Sequence, residues 1–349
     1  MKRIVIIILV SAFALFGSCS KDNDTTPTTV TDLDSPTHNT TVVEIKSPYG
    51  FPPMDIHPDN PLTKEAIALG RKLYYEPLLS EGGPQQGMAC ASCHSQELAF
   101  SVSTPGTSVL PHMNLGWNTS YLWNGKIEGK MEDIMTFEVN DFFQSDLKAI
   151  TASTEYRAAY FQAYGDSIPT KKTTAYALAQ FFRTLISADS NFDRFMRGES
   201  DLTSLEKIGY KIFNTETGDC FHCHGFPLMT DNDFHNIGLD ATFSATNFGR
   251  YEITGRDSDK GKFKTPSLRN IELTAPYMHD GRFNTLEEVV EHYNSGIKKS
   301  AYLDPLMSKN NPDNKLNLTL YQKEALVAYL KALTDNGFTT NPDLSNPNK

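Results

Sequence analysis

The chain alternates between polar stretches and short runs with a regular apolar rhythm. Ile4 to Phe16 is almost unbroken apolar sequence behind Lys2 and Arg3. A run this short behind two cations predicts an export signal over 1–18 rather than a membrane span. Ser20 to Val43 is rich in Thr, Asp, Pro and Asn, with almost no apolar content. It cannot bury a core, so a flexible tether is predicted over 19–45. Beyond it, apolar residues recur at helical spacing. Leu62–Leu73, with Thr63 as N-cap, Leu147–Ala163, Thr173–Ser187, Ser204–Phe213 and Leu320–Thr334 all read as helices. Strand-like alternation is sparse. The pattern predicts an all-α, loop-rich body over 46–335, and then a polar tail over 336–349.

Composition changes the picture little. The body has about 290 residues, enough for two domains. The net charge is −10, with 42 acidic against 32 basic side chains. Nucleic acid is disfavoured as a partner, because binding it needs clustered cations.

The cysteines change the picture most. Of five, four fall in Cys90-Ala91-Ser92-Cys93-His94 and Cys220-Phe221-His222-Cys223-His224. Each is a C-x-x-C-H, the attachment signature of c-type haem. Two thiols reach neighbouring vinyl groups, and the next His returns under the iron as proximal ligand. A four-thiolate zinc site or a thioredoxin-like redox pair could use the cysteines, but neither needs a His after each second Cys. The motifs lie 130 residues apart, which suggests duplication: two small helical haem domains over 46–195 and 196–335, packed against each other. The fifth, Cys19, follows Phe16-Gly17-Ser18. That arrangement is similar to a bacterial lipobox, with Phe16 where Leu is usual, and predicts a lipid anchor on Cys19 in the periplasm or cell envelope. The alternative is an ordinary signal with an incidental Cys.

Further motifs carry a resemblance over most of 60–335. They are Gly70-Arg71-Lys72-Leu73, Pro77-Leu78-Leu79-Ser80, the first C-x-x-C-H with Ala99-Phe100, and Trp123-Asn124-Gly125-Lys126. In the second half they are Phe234-His235-Asn236-Ile237-Gly238-Leu239, Lys264-Thr265-Pro266-Ser267-Leu268-Arg269-Asn270 and Ala275-Pro276-Tyr277-Met278-His279-Asp280-Gly281. The chain resembles the bacterial di-haem cytochrome c peroxidases, a family that includes the MauG proteins.

The resemblance implies two covalent haems. Peroxide would react at the haem of Cys90, Cys93 and His94, and the haem of Cys220, Cys223 and His224 would transfer electrons. The distal ligand of the second haem would lie fourteen residues past His279, at Tyr293, where MauG-like members have Tyr and well-studied peroxidases have Met. A phenolate stabilises ferric iron and a thioether ferrous iron. The residues alone leave His292, Met278 and Met307 open as ligands. Trp123 matches the tryptophan between the haems, with Trp117 the competitor. A calcium ion would bind the backbone carbonyls of Thr274 and Pro276, but the family's Asn ligand falls at Ser108.

Cleaving peroxide needs a group that moves a proton from one oxygen to the other. A count from Trp123 reaches Gln144, which cannot do so; Glu138 is the expected acid, with Asp141 nearby. His279 is expected as a structural or proton-handling residue between the haems, and His235 as a propionate partner. His112 matches a removable sixth ligand of the first haem or, better, a buried apolar segment. His222 needs no function of its own. The expected activity is peroxide reduction with electrons from a small cytochrome or similar donor. The alternatives are a MauG-like oxidase acting on a partner protein and a non-enzymatic electron-transfer cytochrome. A homodimer is left open.

Overall fold

The computed structural model describes residues 38–104, 106–308 and 315–348. The expected export signal, Cys19 and the tether up to residue 37 lie outside these residues. In chain order the helices are α1 Lys64–Tyr74, α2 Cys90–Cys93, α3 Met131–Phe137, α4 Lys148–Ala152, α5 Thr154–Tyr164 and α6 Lys171–Thr184. They continue as α7 Asn191–Met196, α8 Ser204–Phe213, α9 Tyr251–Thr254, α10 Leu286–Glu291, α11 Leu320–Lys331 and α12 Asn336–Thr340. Two short antiparallel ribbons complete the fold: β1 Ser120–Tyr121 with β2 Ile127–Glu128, and β3 Phe234–His235 with β4 Phe263–Lys264.

Local chemistry sets the helix ends. Thr63 caps α1 by accepting the Ala66 N–H, so Leu62 stays outside the helix. The helix expected over Leu147–Ala163 is broken at Ser153, whose hydroxyl accepts the Tyr156 N–H and starts α5. A side chain that competes for backbone N–H groups favours a cap over a helix interior. α6 begins at a Thr170 cap, two residues before the expected start.

Two helix crossings organise the body. α1 lies on α6, and a Cβ on Gly70 would overlap the carbonyl oxygen of Ala177 and crowd Phe181. α8 lies on α11, and a Cβ on Gly209 would overlap the carbonyl oxygen of Ala325 and crowd Tyr329. Gly70-Arg71-Lys72-Leu73 and Gly209-Tyr210-Lys211-Ile212 thus do the same work in each half. Asn114 and Asn270 repeat as well. Each is left-handed, at φ 56°, and each sends its N–H to the end of the long helix of its own half, at Leu185 O and Leu333 O.

Each crossing has its own hydrophobic core. One runs from Ala66 to Leu185 and includes Tyr74, Phe181 and Phe182. The other runs from Phe192 to Leu333 and includes Phe213 and Tyr329. The changeover falls in 186–191 rather than at 195, because Phe192 of α7 is buried in the second core. Each half has a buried bidentate ion pair: Arg183 on Glu132 at 2.6 and 2.8 Å, and Arg269 on Asp193 at 2.8 and 2.9 Å.

Two expectations at the ends of the body need correction. Residues 38–45 were expected to belong to a tether, but Val42 bridges Thr63, and Thr41 N–H donates to Glu65 at 2.8 Å. Residues 336–349 are polar in composition, yet Phe338 and Leu344 are buried in the first core. Asp335 seats this return: its carboxylate accepts the Ala188 and Asp189 N–H groups and the Ser187 hydroxyl. No helix among the described residues is long and apolar enough to cross a membrane.

Candidate haem centres

The first motif forms a single helical turn, α2, which brings Cys90 and Cys93 to neighbouring positions before His94. His94 Nδ1–H donates to Phe100 O at 2.9 Å, which leaves Nε2 free as a ligand. The chain turns back for this contact through Ala99 and Phe100, both left-handed at φ 53° and 59°. Burial pushes the His94 imidazole down to about 4, so it is neutral, as a ligand must be. The second motif repeats the arrangement: His224 Nδ1–H donates to Met229 O at 3.1 Å, and Met229 is left-handed at φ 56°. Burial again holds the imidazole below its ordinary value. Among the described residues, none of these four cysteines is in a disulfide.

Glu138 begins a π-helical turn, Glu138–Phe142, that continues α3. Burial pushes its carboxyl up to about 7. Burial also raises the Cys90 thiol, with Glu138 as the next contributor, so this carboxylate is within electrostatic reach of the first motif. Gln144 and Asp141 are exposed, and Gln144 Nε2–H donates to Asp141 O. Of the three polar side chains weighed for proton transfer, only Glu138 is desolvated.

Tyr293 lies in a second π-helical turn, His292–Gly296, which continues α10. It shares a cavity of about 370 Å³ with Cys220, Cys223 and His224. Burial raises its phenol, and the Cys223 and Cys220 thiols add to the rise. His292 Nε2–H donates to Ile237 O at 3.0 Å. Met278 and Met307 line the cavity too.

The cavity also reaches the other half of the molecule. Trp123 lines it, with Nε1–H donating to Ser108 O at 3.2 Å and its carbonyl accepting the Lys264 N–H at 2.8 Å. Trp117 is instead fixed on Pro52 O and Phe51. His279 lines the cavity, stacked on Phe263 at 3.5 Å, and both its ring nitrogens are buried without a hydrogen-bond partner among the described residues. A buried imidazole in that state fits a site shaped for a polar group. Thr274, Pro276 and Ser108 are on the same wall. Asn114 has no amide to spare for calcium, since both of its groups are bonded to the Ser187 backbone.

One histidine is placed differently from expectation. His235 donates from Nε2 to Asp231 at 2.9 Å and from Nδ1 to Asp304 at 2.7 Å, and these carboxylates push it up to about 12. Neither nitrogen is left for a propionate. The ring of His112 stacks on that of His94 at 3.4 Å. Sequence reasoning missed Lys264 as an individual residue. Its buried ammonium donates to Ser120 and Asn232 across the two halves, and burial lowers it to about 8. Its place in Lys264-Thr265-Pro266 was the available signal.

The residues fit haem in both halves. Each motif offers two thiols and an oriented neutral imidazole, and the second also has a cavity with largely aliphatic walls.

Comparison with known proteins agrees. A family model described as di-haem cytochrome c peroxidase matches residues 64–201. The methylamine utilization protein MauG of Methylorubrum extorquens is 32% identical over 308 residues, covering 83% of this chain and 84% of that protein. Cytochrome-c peroxidase IdrP2 of Denitromonas iodatirespirans is 30% identical, covering 77% and 82%. The crystal structure of a MauG-like protein associated with microbial copper homeostasis superposes with a TM-score of 0.79 at 31% identity, covering 88% of this chain and all 100% of that one. The chain therefore belongs to the di-haem cytochrome c peroxidase and MauG family, and is a peroxidase-like oxidoreductase.

Proposed function

We propose that the protein reduces hydrogen peroxide to water at the first haem centre, with Glu138 as the proton-transfer group and an external redox protein as donor. The observation that carries this is the buried carboxyl of Glu138, at the head of the π-helical turn and within electrostatic reach of Cys90. A carboxyl held near pH 7 can accept a proton from one peroxide oxygen and return it to the other. Haem, attached through Cys90 and Cys93 and through Cys220 and Cys223, supplies the iron and the redox equivalents. His94 and His224, held through Nδ1, would bind the irons through Nε2, and Tyr293 would complete the second site. Trp123 links the halves as the electron relay, and His279 presents its free ring nitrogens to the second centre. Thr274 and Pro276 would offer carbonyls to calcium, but Ser108 brings no amide oxygen, so no step is assigned to that ion. The protein works outside the cytoplasm, held by lipid on Cys19; this part rests on residues 1–19 of the sequence alone.

A second reading is favoured by Tyr293 in the His224 cavity. It is a MauG-like oxidase that withdraws electrons from a partner protein through Trp123. The experiment is stopped-flow absorbance of the haem-loaded protein with peroxide, with and without excess reduced small cytochrome c. Sustained donor oxidation, lost in His94→Ala, is expected. Peroxide consumption without donor turnover would replace the first reading with the second, and full turnover in His94→Ala would end both.

A further inference from the structure

We propose that His112 is a positioning residue for His94: pinned by Tyr74, it fixes the rotation of the proximal imidazole of the first haem. This rests on His94 being the axial ligand.

A closed circuit of contacts carries it. The His94 and His112 rings lie face to face, with centroids 3.4 Å apart and planes 14° from parallel. His112 Nδ1 is 3.2 Å from the Tyr74 hydroxyl, and that hydroxyl is 3.1 Å from the His94 carbonyl oxygen. Tyr74 has one O–H to give. It donates to the carbonyl and accepts from the His112 Nδ1–H. The circuit thus begins and ends on His94. Phe182 backs His112 at 4.7 Å, and Tyr74 is fully buried among Phe100, Phe181 and Phe182. Nothing in this stack can turn without opening a packed core.

The bond from His94 to Phe100 selects which nitrogen faces the iron. The stack adds a constraint on the ring plane. The plane of an axial imidazole decides which iron d orbitals it overlaps, and so shapes the electronic structure of the metal.

The duplication shows that the device is private to the first centre. Asn114 and Asn270 occupy matching places, so His112, two residues before the first, corresponds to Leu268, two before the second. Leucine can neither stack nor hydrogen-bond. His224 has its Nδ1 bond to Met229.

The test uses haem-loaded protein and three variants: His112→Leu, His112→Phe and Tyr74→Phe. The readouts are the ferric electron paramagnetic resonance spectrum and the iron–histidine stretching band of the ferrous protein. Signals of the second haem serve as internal control. His112→Leu is expected to shift the first-haem signals alone. His112→Phe, which keeps a stacking ring, should recover part of the shift, and Tyr74→Phe should reproduce part of it. First-haem signals unchanged in His112→Leu would overturn the proposal. If that variant loses the first haem, Tyr74→Phe decides, and unchanged signals there would overturn it equally. Loss of the iron–histidine band in His94→Ala tests the ligand assignment separately, and none of these readouts depends on peroxide turnover.

Discussion

In the proposed function, Glu138 and Tyr293 are the two residues on which the chemistry would turn. Glu138 keeps its proton below about pH 7, because burial disfavours the carboxylate. A protonated carboxyl cannot take a proton from peroxide. The rate of the peroxide reaction should therefore rise with pH through about 7. In Glu138→Gln that limb should vanish and the rate fall by roughly 10²–10⁴-fold; rapid-mixing kinetics across pH 6 to 8 would show both. Tyr293→Met should move the second haem to a more positive potential, within the roughly 0.8 V that axial ligands command. Potentiometric titration would record it, and an unmoved potential would remove Tyr293 from the coordination sphere. The cysteine motifs could be read directly from sequence because each is a contiguous string of five residues whose spacing needs no knowledge of the fold. Glu138 could not be reached by counting. The count from Trp123 ends at exposed Gln144, whereas the buried carboxyl is six residues earlier, at the head of a π-helical turn. The His112 stack was equally hidden, since it depends on a loop folding back over eighteen residues.

Among the elements, the two glycine crossings define the architecture. Gly70 and Gly209 let helix backbones approach where any side chain would meet a carbonyl. Gly70→Ala and Gly209→Ala should each cost about 1–3 kcal/mol through overpacking, read as a lower denaturant midpoint. Periodicity exposed the long helices because one face of each must be buried. It missed the break at Ser153 because apolar spacing continues across it, and a single hydroxyl–backbone bond decides the matter. The equivalence of the two crossings was written in the paired Gly-x-Lys-apolar strings, though only the partner helices give it meaning. Both candidate distal residues lie where an α-helix widens into a π turn, a feature concentrated at functional sites.

At the scale of the whole molecule, Trp123 belongs to the first half by sequence and is bonded to both, at Ser108 O and at the Lys264 N–H. Trp123→Phe should leave the reaction with peroxide intact but lower steady-state donor oxidation, a split that single-turnover and steady-state rates would separate. Phe338→Ala should cost about 3–5 kcal/mol, the usual loss for a buried aromatic, and a melting curve would show it although the residue lies in a segment of polar composition. Asn270 ties the halves together: it bonds Ser187 and the Asp335 N–H, and its side chain reaches Met113. The return of residues 336–345 to the first core also bears on the order of assembly. Arg71 is hydrogen-bonded to Ser345, 274 residues away. A ribosome releases the early half of such a chain tens of seconds before its closing piece, and domains otherwise tend to fold as they emerge. The second core, whose residues lie between Phe192 and Leu333, needs nothing made later. The half that begins first in synthesis is thus the one whose core is completed last.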